Sequence, residues 1–461
     1  MFNPSPEQQA ALDSLHQFIL SDKQIFILKG HAGTGKTTLI KHFIEYLNEK
    51  DIPFTLMAST GRAAKVLSHK SGKMVTTVHQ GIYKLQVVEN DEQNQVRRLS
   101  FRLHDNMSPE MMVYIVDESS MLSNEQVKEG FITYGSGRLI SDLLLFAEKR
   151  KVVFVGDQAQ LPPVSSVFSA ALTEEYLKER FKIEVSSALL SEVQRYQPET
   201  GVFFNTIELR RKIENRQFPY LAVKGRGFSD IFVSPSEQVF VDAYVESVRR
   251  RGLDNSIMIC FSNARSNDLN TKARLGLFGR RRSQTLLENE LLMVIQNNYK
   301  YMLFNGDHLQ VENYSDQAEY RAGLHFRDVT VSVNDFLGRR LVHVKIIDDL
   351  LTMAGNNLHS RQDFGLFRDF AIRMSKEGIR PKDPEFIVRL MDDPYLNALR
   401  VKYGYAVTCH KAQGGEWEDV FLLFENCFFI NLDKERQHRW AYTAISRTQE
   451  RLHLLDNRCI Y

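Results

Sequence analysis

Short apolar runs alternate with helix-period segments through the first ~180 residues. Runs 25–29, 54–58, 112–116 and 151–155 read as buried strands, and the stretches between them carry apolar residues at helical spacing. Strand and helix in alternation predict a parallel sheet with helices on both faces. One segment breaks the rhythm: Tyr83 to Leu103 runs strand, polar turn, strand, which predicts a β-hairpin inserted into this unit. A second alternating pattern starts near Lys182, with Ser256 to Phe261 as a strand and Asn267 to Leu275 as a helix. It pauses at about 283 and resumes at Tyr403. The interruption, 283–399, holds short β-like runs at 291–295, 308–312, 329–333 and 341–347, with a helical stretch near 360–375. It predicts a small β-rich domain with a helical appendage, inserted into the second α/β unit. The predicted division is 1–185 for the first unit, with the hairpin at 83–103, and 186–282 plus 400–461 for the second.

Chemistry enters at the ends of the strands. Gly30-His31-Ala32-Gly33-Thr34-Gly35-Lys36-Thr37 stands between the first strand and a helix running from Thr38 to Leu47, and fits G-x-x-x-x-G-K-[ST]. Glycines let backbone N–H groups crowd an anion, and the helix N-terminus adds positive potential. Lys36 is placed for the β/γ-phosphates and Thr37 for Mg²⁺. Val113-Tyr114-Ile115-Val116 ends in Asp117 and Glu118. Carboxylates at the C-terminal edge of a parallel strand face the phosphate site of such a sheet. Asp117 would hold Mg²⁺ and Glu118 would deprotonate the attacking water. The strand from Lys151 delivers Gln160 to the same rim, where an amide can bond both water and phosphate.

Length alone, 461 residues, suggests more than one core, and 43% hydrophobic with 25% charged residues is the composition of a soluble globular chain. No apolar run approaches the ~18 residues of a membrane span. No signal peptide is visible after Met1, and Cys260, Cys409, Cys427 and Cys459 lack metal-ligand spacing, so a reducing cytoplasm is expected. A net charge of +2 neither demands nor excludes a polyanionic partner. Clusters at Arg249–Arg251, Arg280–Arg282 and Arg339–Arg340 are each weak evidence for nucleic acid.

Further strings appear in a fixed order. They are Ser5-Pro6-Glu7-Gln8, Ala58-Ser59-Thr60-Gly61-Arg62-Ala63-Ala64-Lys65, Thr76-Thr77-Val78-His79, Gly156 to Val164, Leu190 to Arg195, Tyr405 to Glu416, and Trp440 to Arg447. With the P-loop and the acids they resemble the motifs of superfamily 1B DNA helicases of the RecD-like and Dda-like group, over nearly the whole chain. The resemblance implies an α/β fold of two RecA-like P-loop motor domains, with an inserted hairpin in the first and a small β-barrel-like insert in the second. It implies an ATP hydrolase whose nucleotide set is Gln8, Gly33, Gly35, Lys36, Thr37, Thr38, Asp117, Gln160, Arg195, Glu416 and Arg447. Lys36, Glu118, Gln160, Arg195 and Arg447 would act in catalysis. Gln8 would read adenine, and Arg195 and Arg447 would reach the γ-phosphate from the second lobe. Thr60, Arg62, His79, Thr408 and His410 would grip the strand, and Phe101 on the hairpin would stack on a base at the fork. The implied partners are single-stranded DNA and forked or tailed duplex, travelled 5′ to 3′ by a monomeric motor that needs no membrane. An RNA or RNA/DNA-hybrid helicase, and a P-loop ATPase subunit of a larger repair complex without its own unwinding activity, remain open readings, because motor motifs touch mostly phosphates.

Overall fold

The computed structural model describes residues 4–90, 97–126, 132–164, 166–194, 199–280, 285–298, 300–335, 338–355 and 357–461. Six parallel strands form the first sheet, in the order Val75–Thr77, Phe54–Ala58, Val113–Asp117, Lys151–Gly156, Ile25–Gly30, Val185–Leu190. Its strands are apolar on both faces because both are covered. Ile25, Ile27, Tyr114 and Val116 join one buried cluster, while Phe26, Leu28, Val113 and Ile115 join the other. All the chemistry-bearing turns leave this sheet at its C-terminal edge.

The expected domain border at 185/186 moves. Val185–Leu190 pairs with Ile25–Gly30 and is the edge strand of the first sheet, not the opening of the second unit. Its alternating exposure, with Ser186 and Ser187 among its residues, is that of an edge. The hairpin is formed by Tyr83–Asn90 and Arg97–Leu103, and its turn lies outside the described residues. It is not a lone hairpin: Ile132–Tyr134 adds a third strand, parallel to Leu99–Phe101.

The second sheet is also parallel, in the order Ile231–Ser234, Thr448–Leu455, Trp417–Leu422, Ser256–Cys260, Ala406–Thr408. The insert is an antiparallel sheet with long strands Leu324–Asp335 and Gly338–Ile347, followed by helices Ser360–Lys376 and Pro384–Asp392. It reaches past the predicted end at 399, since Val401–Tyr403 pairs with Leu292–Val294.

Candidate ATP site and nucleic-acid trough

The P-loop turns on two left-handed glycines, Gly33 (φ 78°) and Gly35 (φ 85°). Gly35 has a second reason to lack a side chain: an added Cβ would stand 2.7 Å from Gln8 Nε2. Gln8 is buried, donates to Thr34 O at 3.1 Å and accepts from Ser5 N at 3.1 Å, so its amide braces the loop from behind. Lys36 Nζ donates to Gly30 O (2.7 Å) and His31 O (2.9 Å), a position from which a short swing reaches a phosphate.

A cavity of about 490 Å³ opens beside the loop. Gly33, Gly35, Lys36, Thr37, Thr38, Asp117, Glu118 and Gln160 line it from the first lobe, and Glu416 and Arg447 from the second. Gln8 is not among its lining residues. Burial pushes the Asp117 and Glu118 carboxyls above their ordinary range, and the adjacent Asp117 raises Glu118 further. Glu118 holds a left-handed backbone (φ 50°), a strain found at functional turns. Gln160 is 2% exposed, and its Oε1 has no hydrogen-bond partner. That buried acceptor beside the cavity suits a water or ligand donor. Thr37 and Asp117 offer oxygen donors next to the phosphate cradle, the set that Mg²⁺ takes together with substrate phosphates.

Arg447 is 4% exposed and held by three neutral oxygens: Thr443 O (3.0 Å), Gly415 O (3.3 Å) and Ser446 Oγ (3.0 Å). Arg195 lies outside the described residues. Its neighbour Gln194 donates from its backbone to Gly33 O at 2.8 Å, and the strand leading to it belongs to the first sheet. Lys41, Lys70 and Gln194 also line the cavity and were not foreseen. Lys70 sits on the helix of the Thr60 motif and contacts Glu416 across the lobes at 3.6 Å.

A second cavity, about 550 Å³, runs along the same interface. Thr60, Arg62 and His79 line it from the first lobe and Thr408 and His410 from the second, so five predicted strand contacts converge. Two long helices open onto it, Gly61–Ser71 behind Thr60 and Asn263–Phe278 behind Ser262. Helix N-termini attract phosphate. Thr60 Oγ1 caps its helix by accepting from Ala63 N at 3.2 Å, which leaves the hydroxyl proton free to donate. Burial lowers His79 to about 4 and lowers His410 as well, so both imidazoles are neutral donors at neutral pH. Lys411, unforeseen although next to His410, lines the trough, with its ammonium brought down to about 8 by burial.

Two residues make further contacts. Arg62 reaches the trough wall, but its guanidinium stacks on Trp417 of the second lobe at 4.2 Å and lies 3.5 Å from His308 Nδ1. Burial brings it to about 10. Its main contacts join the first lobe to the buried Trp417 of the second and to His308 of the insert. Phe101 lies outside the trough. It sits at the base of the hairpin, half-buried, with its ring 4.9 Å from Tyr134. Tyr134 in turn meets His79 at 5.1 Å, so the hairpin base is packed against a trough residue.

The insert roofs the trough through Asn297, Asn305 and Gly306. Phe304 lies so close over Gly61 that an added Cβ would be 1.9 Å from Phe304 Cβ, and the buried Asp307 carboxylate pairs with Lys65 at 2.8 Å. Of the basic clusters, Arg250, Arg251 and Arg339 are paired with carboxylates outside the trough. No helix among the described residues is long and apolar enough to cross a membrane.

Comparison with known proteins agrees with this geometry. Residues 3–200 match the model of an AAA domain, and residues 403–455 match the UvrD-like helicase C-terminal domain. The ATP-dependent DNA helicase Pif1 of Psychrobacter sp. is 33% identical over 42% of this chain and 28% of its own length. The ATP-dependent RecD2 DNA helicase of Deinococcus radiodurans is 30% identical over 35% of this chain and 19% of its own. The chain spans 28% to 38% of the length of the first curated relatives it matches. The crystal structure of Pif1 helicase from Candida albicans superposes on 100% of this chain and 95% of that one, with a TM-score of 0.51 and 16% identity. That likeness is one of fold: two RecA-like lobes. In its P-loop, strand-edge acids and Arg447 motif, and in the two domains matched near its ends, the chain is similar to helicases of the Pif1- and RecD-like kind.

Proposed function

We propose that this chain is an ATP-driven motor that walks along single-stranded DNA, 5′ to 3′, and separates forked or tailed duplex. One observation carries the reading: the nucleotide cavity and the trough lie at the same interface, and each is lined by both lobes. A change in lobe spacing at one must alter the other. Lys36 and Arg447 supply positive charge on two sides of the γ-phosphate, and Glu118 takes the proton of the attacking water. Bound Mg²⁺, held by Thr37 and Asp117, would neutralise phosphate charge. Hydrolysis removes the group that Arg447 reaches for, so the lobes part and the grips on the strand move relative to each other. Thr60, His79, Thr408 and His410 offer hydroxyl and imidazole donors to phosphates and read no base, as a motor that must pass any sequence requires. The relatives' names, DNA helicases, support DNA as the track.

ATP turnover with single-stranded DNA, with RNA of the same sequence, and with neither tests this. Strong stimulation by DNA is expected. Equal stimulation by RNA would favour an RNA motor, and turnover indifferent to both would leave a non-motor ATPase.

A further inference from the structure

Tyr442 lies on helix Lys434–Ile445, five residues before Arg447, and is fully buried. Its hydroxyl stands where three pieces of chain meet. It donates to Asp157 Oδ2 at 2.6 Å and accepts from the backbone N–H of Ala32 at 3.0 Å. Asp157 is 1% exposed, and its Oδ1 accepts from Ala159 N at 2.9 Å. His31 places Nδ1 3.6 Å from Asp157 Oδ1 and Nε2 2.8 Å from Glu214 Oε1, on a helix packed against Lys434–Ile445. A side chain of the second lobe thus closes a buried polar circuit containing two P-loop residues and the start of the Gln160 loop.

The same helical turn makes two further links. Thr443 Oγ1 accepts from Leu161 N at 2.9 Å, next to Gln160. Thr443 O accepts from Arg447 Nε at 3.0 Å. P-loop rim, Gln160 loop and Arg447 are therefore all referred to one turn of one helix. A phenylalanine would fill the volume of Tyr442, so packing alone does not call for the hydroxyl, whose proton and acceptor site are both in use.

We propose that Tyr442 is a positioning residue for ATP hydrolysis: its hydroxyl registers the second lobe on the P-loop, so that Arg447 and Gln160 meet the γ-phosphate in one fixed geometry. The inference rests on the reading of this site as an ATPase. Ala32 lies in the P-loop and lines the cavity, but its N–H is committed to Tyr442 rather than open to a phosphate, so losing the hydroxyl acts on turnover more than on nucleotide affinity.

Steady-state ATP hydrolysis of the full chain with saturating single-stranded DNA tests it, using Tyr442→Phe, Arg447→Lys and the double variant, each below its melting transition. Tyr442→Phe is expected to lower kcat on the order of tenfold, the scale of one hydrogen bond to a charged group. KM for ATP should stay within about twofold, because uniform binding is not removed. In the Arg447→Lys background the same change should add little, since both act through one geometry. An unchanged kcat with a lowered Tm would make the hydroxyl purely structural and overturn the proposal, as would losses that multiply in the double variant. Wild-type protein without turnover would overturn the ATPase reading itself, and this proposal with it.

Discussion

Glu118 and Lys411 show how burial sets the chemistry of single residues here. Glu118 sits beside Asp117 in the nucleotide cavity, on a strained turn that aims it at the phosphate site. Glu118→Gln keeps the shape but cannot take a proton, so ATP analogue binding should persist while turnover falls on the order of 10²–10⁴-fold, the range of general-base catalysis. Near-normal turnover would assign the base elsewhere. Lys411 is partly desolvated, and its ammonium titrates at about 8 in the free protein. It is charged below that pH and neutral above it, so affinity for single-stranded DNA should weaken as pH rises from 7 to 9. Lys411→Arg should remove that pH dependence, because guanidinium stays charged. A flat binding profile in the wild type would take Lys411 off the track. That Gly33, Lys36, Asp117 and Glu118 would meet at one rim was legible because strand, turn and local spacing are enough to bring them there. The role of Arg62 was not, since Trp417 meets it only once the lobes are folded together.

At the scale of elements, the insert roofs the trough and the hairpin base packs beside it, where Tyr134 meets His79. The two hairpin strands were readable from polar and apolar alternation, but the third strand, Ile132–Tyr134, is three residues long and too short to leave a pattern. That strand gives Phe101 a ring neighbour, Tyr134, near the base of the hairpin. The edge strand Val185–Leu190 misled in the opposite way: its sequence reads as a new unit, and only the pairing with Ile25–Gly30 assigns it to the first sheet. Replacing 86–100 by a short turn should abolish strand separation while leaving DNA-stimulated ATPase largely intact, since the P-loop, the strand-edge acids and the trough residues Thr60, His79, Thr408 and His410 all lie on other segments. Phe101→Ala should lower unwinding by loosening the seat of the hairpin, and Phe101→Leu should restore much of it. Loss of ATPase in step with unwinding would mean that the hairpin supports the motor core itself.

Taken as a whole molecule, two parallel-sheet lobes meet along one interface that carries a phosphate cradle and a roofed trough. Two α/β units interrupted by a β-rich insert were visible in the sequence. The contacts that hold insert to first lobe, Phe304 over Gly61 and Asp307 with Lys65, were not, because nothing in local spacing reports a long-range close approach. We propose a directional motor powered by ATP. Its most direct test is unwinding of matched duplexes carrying a 5′ or a 3′ single-stranded tail, with ATP and with a non-hydrolysable analogue. Strand separation is expected only with the 5′ tail and only with ATP; equal unwinding from a 3′ tail, or unwinding without hydrolysis, would overturn the directional, ATP-powered motor.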